Sequence, residues 1–169
     1  NFGYFNKNIN DIDVLNSKKS FEVDFVRGFA LLINKNKFQE NFFDENYFTY
    51  MEELDLCMRV KREGGKVLIC PEAKVSHLGA SSHDKSINFE MELSRNWHWM
   101  WSTFYYHKKY KGYLIALITV SPKLISAFLK TIFYSLTLRK EKKLIYFQRA
   151  SGLTNAILCK KSWYRPKVN

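Results

Sequence analysis

The chain has 169 residues and a mass of 20.1 kDa, a size that suits one ordinary domain and allows a real core. Its 46% hydrophobic and 17% aromatic content, with only 7 Gly and 3 Pro, excludes disordered, collagen-like and low-complexity classes. Net charge is +11, unevenly spread: residues 1–94 hold 12 Lys and Arg against 15 Asp and Glu, whereas residues 95–169 hold 15 Lys and Arg against the single acid Glu141. Clustered cations of this kind fit nucleic acid, anionic lipid or a polyanionic substrate. Cys57, Cys70 and Cys159 form no metal-type cluster and cannot all pair, so they are read as small core residues in a reducing compartment. The chain begins at Asn1 without a basic segment leading into an apolar stretch, so no secretion signal is expected, and a fragment of a longer protein is.

In chain order, FEVDFVRGFALLIN (21–34) is rich in β-branched and aromatic residues and predicts at least one strand, broken or bulged near Gly28. A short helical turn is expected at 35–40, then an aromatic polar loop, FFDENYF. Thr49 as N-cap and Glu52 three residues later form a capping box for a helix from about Tyr50 to Glu63. Lys61 and Arg62 suit its last turn and Gly64-Gly65 its end. KVLIC then reads as a short strand, and AKVSHLG as a second extended piece after Pro71. Strand, helix and strand in succession predict an α/β layout over 1–86.

From 87 to 111 there is no Gly or Pro, and Trp97, Trp99, Trp101, Phe104, Tyr105 and Tyr106 predict a long helix with an aromatic flank. The apolar stretch from Tyr113 to Leu138 is interrupted by Pro122, Lys123 and Lys130. A spanning helix needs roughly 20 mainly apolar residues in a row, so two amphipathic helices lying in a membrane interface are expected instead. The run RKEKK (139–143), Lys160, Lys161 and Arg165 flank them. The region 87–169 is therefore expected to be helical, basic and membrane-associated.

The chemistry-bearing string runs from Phe42 to Gly79. Glu52, Glu53 and Asp55 put three carboxylates in the first turns of one helix, where the dipole favours acids and a solvated face is the plain reading. Two features point further. The acids follow an aromatic loop on the carboxyl side of a strand-rich segment, where α/β folds keep ligand sites. His77 closes the second extended piece before Gly79 and a run of small residues. Acids with a histidine make a candidate metal or acid-base site.

With the strings VRGFALLINKNKF and ENFFDENYFTYMEELDLCMRVKREGGKVLICPEAKVSHLGASS, the sequence resembles the GT-A glycosyltransferases of family 2, especially the bacterial rhamnosyltransferase-like members. The match runs from about Val26 to Ser82 in the family order. The resemblance implies the C-terminal part of a GT-A, Rossmann-like fold, without its nucleotide-binding N-terminal half and followed by an amphipathic helical region. It implies transfer of a sugar, with inversion, from a nucleotide-diphosphate donor to a hydroxyl of a polysaccharide or lipid-linked glycan. Glu53 matches the general base, a Glu where the family has Asp; Glu52 contacts the acceptor or only caps the helix. Gly28 matches the glycine that lets the backbone approach the sugars. Asp55 matches the acid of the DL pair and, four residues before Arg59, also suits an intrahelical ion pair. Tyr50 and Arg59 fall in the substrate-binding string. His77 matches a histidine that coordinates the divalent metal, Mg²⁺ or Mn²⁺, on the donor diphosphate, the remaining ligands lying upstream. Asp11-Ile12-Asp13 has the letters of the DxD metal motif but no apolar strand leading into it, and is read as coincidence.

The expected partners are therefore a nucleotide sugar, a glycan or lipid-linked acceptor and an anionic membrane surface, at the cytoplasmic face of the cell membrane, with no nucleic acid. The competing reading is a non-catalytic basic module binding membrane or nucleic acid, which leaves the acid-histidine string unexplained.

Overall fold

A computed structural model describes residues 4–5, 18–34, 36, 41–76 and 84–167. It contains four short strands, β1 (Tyr4–Phe5), β2 (Phe21–Glu22), β3 (Phe25–Val26) and β4 (Leu68–Ile69), and four helices: α1 (Glu52–Arg62), α2 (Asn88–Lys111), α3 (Tyr113–Leu136) and α4 (Lys140–Ile157). The chain divides into two compact units, residues 1–44 with 52–79 and residues 45–51 with 80–169.

The expected α/β, Rossmann-like layout is not adopted, because the chain is mostly helical. In the first unit β1 pairs with β3 and β2 with β4, both antiparallel and each only two residues long. A parallel sheet needs long apolar strands covered on both faces. Here the apolar run after Val26 finds no ladder and continues as turn and coil, leaving Phe29 and Leu32 exposed. The small core of this unit is Val23, Cys57 and Val67, with Phe21, Phe25, Val26, Val60 and Ile69 around it. The Val23 amide donates to the Val67 carbonyl at 2.9 Å, extending the β2–β4 pairing by one step.

Helix α1 starts two residues later than the capping box predicts. Tyr50 and Met51 have φ of 67° and 69°, a left-handed conformation that helical residues do not adopt and that costs on the order of 1–3 kcal/mol each. Glu52 is thus the first helical residue, and the Thr49 carbonyl accepts instead from the Ser102 hydroxyl at 2.9 Å. The other end follows expectation. Gly64 takes φ 77°, its amide donates to the Lys61 carbonyl at 3.2 Å, and the Gly65 amide donates to Val60 at 2.8 Å, the paired bonds of a Schellman motif.

The second unit is a three-helix assembly. Helix α2 forms as its uninterrupted sequence predicts, entered through a 3₁₀ turn (Lys85–Ile87) in which the Asp84 carboxylate accepts from the Ser86 amide. Its inner face supplies Trp97, Met100, Trp101 and Phe104 to a core shared with Ala116, Val120, Leu153 and Ala156. Gly152 lets α4 reach the α2 backbone: a Cβ there would lie 2.3 Å from the Trp97 carbonyl oxygen.

The two interfacial helices expected around Pro122 are one helix of 24 residues with Pro122 inside it. Proline removes the amide that would bond the Ile118 carbonyl, but the Ser121 hydroxyl lies 2.9 Å from that oxygen and takes the amide's place as donor. Helix α3 is long and apolar enough to cross a membrane, and only 17% of its most apolar stretch is buried. Of the three cysteines read as core residues only Cys57 is buried; Cys70 and Cys159 are exposed.

Candidate active site

The acids sit where the helix-start reading puts them. Glu52, Glu53 and Asp55 occupy the first turn of α1, facing the partial positive charge of its N-terminus. Their fates then diverge.

Asp55 is fully buried and accepts from Arg59 Nε at 3.1 Å. The same guanidinium donates to the Asn41 carbonyl at 3.3 Å and to the Phe42 carbonyl. One i,i+4 pair thus ties the helix to the preceding loop, and Arg59 is engaged by three acceptors of the protein itself. Both residues, expected to bind substrate, hold the local backbone in place.

Glu52 and Glu53 each keep one carboxylate oxygen, Oε2, away from water with no hydrogen-bond partner among the described residues. A shielded polar atom without a partner costs about 1–3 kcal/mol, so two adjacent ones form a reservoir of unused hydrogen-bonding capacity. Burial pushes the Glu52 pKa up, against the pull of a backbone hydrogen bond, and the neighbouring Glu53 charge adds to the rise. Glu52 therefore keeps a proton to higher pH than an ordinary glutamate.

Gly28 lies in the turn after β3, against Glu53. A Cβ on Gly28 would stand 3.6 Å from Glu53 Cβ and 4.0 Å from its carboxyl carbon, ordinary contact distances. The fold does not need glycine here, and its bare backbone lies against the Glu53 side chain.

Tyr50 belongs to the segment 45–51 of the helical unit, where its ring meets Trp99 edge-on with centroids 5.4 Å apart. His77 and Asp11-Ile12-Asp13 lie outside the described residues, as does most of the short turn expected at 35–40. Among the described residues, no three His, Cys, Asp or Glu side chains come together in a way that could hold a metal ion.

One functional-looking group carries no motif in the sequence. His98 is fully buried in α2, its Nε2–H donating to the Tyr164 carbonyl at 2.8 Å and its Nδ1 accepting from the Ser162 hydroxyl at 3.0 Å. The Phe48 ring lies 4.6 Å from it, and Arg165 stacks 3.7 Å over Phe48. Burial drives the His98 pKa down to about 4; the Tyr164 carbonyl opposes the fall and the Arg165 charge adds to it. Neutral His98 thus fastens both residues 45–51 and the C-terminal tail to the helical unit. Its place in the run NWHWMW, one step from the inward Trp97 and three from Trp101, was the available signal.

Comparison with protein-family models, with curated proteins and with solved structures found no match for the chain.

Proposed function

We propose that the chain is the acceptor-side part of an inverting glycosyltransferase in which Glu53 is the general base. The reading is supported by one observation above all: the neighbouring glutamates at the start of α1 present water-shielded, unpartnered oxygens, with the side-chain-free backbone of Gly28 beside Glu53. The motif resemblance assigns the same two positions.

In the proposed step Glu53 accepts the proton of an acceptor hydroxyl as that oxygen bonds to the anomeric carbon of a nucleotide-diphosphate sugar. The bond from that carbon to the diphosphate oxygen breaks, and the nucleoside diphosphate leaves with the electron pair. A single displacement of this kind inverts the anomeric centre. Glu52, its pKa raised chiefly by burial, stands beside the base. Asp55 and Arg59 act as positioning residues for the helix start.

The test is release of nucleoside diphosphate from a panel of nucleotide sugars by the full-length protein, with Glu53→Gln and Gly28→Ala beside the parent. Loss of a general base typically costs about 10²- to 10⁴-fold. The Gly28→Ala protein should unfold at the parent's temperature yet turn over far more slowly, because its methyl group occupies the space next to the carboxylate. Parental turnover by Glu53→Gln would refute the assignment.

A further inference from the structure

Helix α3 has an outer face of unusual character for a helix packed in a bundle. Ala116, Val120 and Ala127 point to the core. On the opposite side, at three- and four-residue spacing through Pro122, stand Leu114, Ile118, Ile125, Leu129, Ile132 and Leu136. All six are exposed, Leu114 and Ile118 by 72% and Leu136 by 79%. An ordinary surface helix is polar on that side. The few hydroxyls on α3 do not make it so, because Thr119, Ser121 and Thr131 bond back to carbonyls of their own helix.

The cations are placed around this face. Lys109 lies over Tyr47 and Tyr110, Lys130 over Tyr146 and Lys142 over Tyr134, and Lys108 donates to Cys159 Sγ, contacts with rings and a thiol that leave the positive charges unneutralised. Lys108, Lys109 and Lys111 close α2 at one end of α3; Arg139, Lys140, Lys142 and Lys143 follow its other end. Lys123 and Lys130 lie on its flank. The ion pairs Asp55–Arg59, Asp24–Lys61 and Glu22–Lys66 are in the first unit. Three lysines in the first turn of α4, with Glu141 as the one acid, oppose that helix's dipole. A locally unfavourable cluster beside an uncovered apolar face indicates a partner that supplies both negative charge and hydrocarbon.

We infer that the outer face of α3 docks, parallel to the surface, into an anionic lipid bilayer. The six apolar side chains enter the acyl boundary, and the cations at both ends and on the flank sit at the headgroup phosphates. Two observations favour lying over crossing. The 24 residues of α3 span about 36 Å, but Lys123 and Lys130 would then fall inside the hydrocarbon, each at about 3 kcal/mol. Helices α2 and α4, packed along the inner side of α3 and rich in charge, would be drawn in as well. Nucleic acid fits less well, since of the four tryptophans that could stack on bases Trp97 and Trp101 are buried, exposed Trp99 already meets the Tyr50 ring and exposed Trp163 the Trp97 ring, and none of them belongs to α3. The inference does not depend on the proposed sugar transfer.

The test is co-sedimentation of the full chain with vesicles of phosphatidylcholine alone and of phosphatidylcholine mixed with phosphatidylglycerol, at low and high salt. Binding is expected to the mixed vesicles only, and to be lost at high salt. Ile118→Asn with Leu129→Asn should abolish it. Lys140→Gln with Lys143→Gln should weaken it on the order of twenty-fold, about five-fold per cation, while leaving helix content and thermal stability unchanged or higher; this pair keeps the test decisive if the asparagine variant misfolds. Three results would overturn the inference: no pelleting; pelleting that ignores lipid charge and salt; or displacement from vesicles by a single-stranded RNA oligonucleotide. Concentration-dependent dimerisation abolished by the asparagine pair would instead assign the face to a second copy and equally defeat it.

Discussion

Acidification should loosen the helical unit through His98. The imidazole is fully buried and held neutral between the Tyr164 carbonyl and the Ser162 hydroxyl, with its pKa moved from 6.5 to about 4. For a histidine whose folded pKa is depressed, the unfolded chain takes up the proton first. Stability is therefore complete above the unfolded value and is lost as pH falls from about 6.5 towards about 4. With these two values, the loss between pH 7 and pH 5 comes to about 2 kcal/mol, a large share of a domain's usual margin. The raised pKa of Glu52 has the opposite sign, since its desolvation penalty is relieved on protonation, whereas His107, also depressed by burial and by Lys111 and Lys123, acts with His98. The difference between parent and variant isolates His98. Urea unfolding of the parent and of His98→Gln, each at pH 7 and pH 5, measures it: the parent should lose about 2 kcal/mol more than the variant across that interval. Equal pH dependence in the two proteins would refute the buried, neutral histidine as the fastening of segment 45–51 and the tail.

Two further changes test the packing around each unit. Gly152→Ala drives a methyl group into the Trp97 carbonyl and should destabilise the helical unit by about 1–3 kcal/mol in spite of alanine's better helix propensity; a thermal midpoint equal to or above the parent's would show that α2 and α4 can separate freely. Asp55→Ala removes the charged partner of Arg59 and should cost about 2 kcal/mol in chemical unfolding, with amide exchange rising at residues 41–42, whose carbonyls Arg59 also holds; unchanged exchange there would deny the tie between loop and helix.

What the amino-acid order settles by itself is short-range. The Gly64-Gly65 stop of α1, the Asp55–Arg59 pair one turn apart and the unbroken course of α2 are each dictated within a few residues, by a φ that only glycine takes cheaply, by i,i+4 geometry and by the absence of helix breakers. The pairing of acids at a helix start is legible for the same reason. Partner choice is not local. The run from Phe21 to Asn34 has strand character throughout, but a ladder exists only where another backbone arrives, and only two-residue pieces of β1 and β4 do so; the α/β expectation fails on that point. Pro122 breaks a helix only if the carbonyl it orphans stays unbonded, and the Ser121 hydroxyl, held by the helix itself, supplies the donor. Burial of Cys57 but not of Cys70 or Cys159, the capture of segment 45–51 by His98 and Ser102, and the outward turn of the apolar side of α3 are likewise decided by which surfaces meet in three dimensions. Spacing along the chain puts side chains on a face; tertiary packing alone determines whether that face is covered.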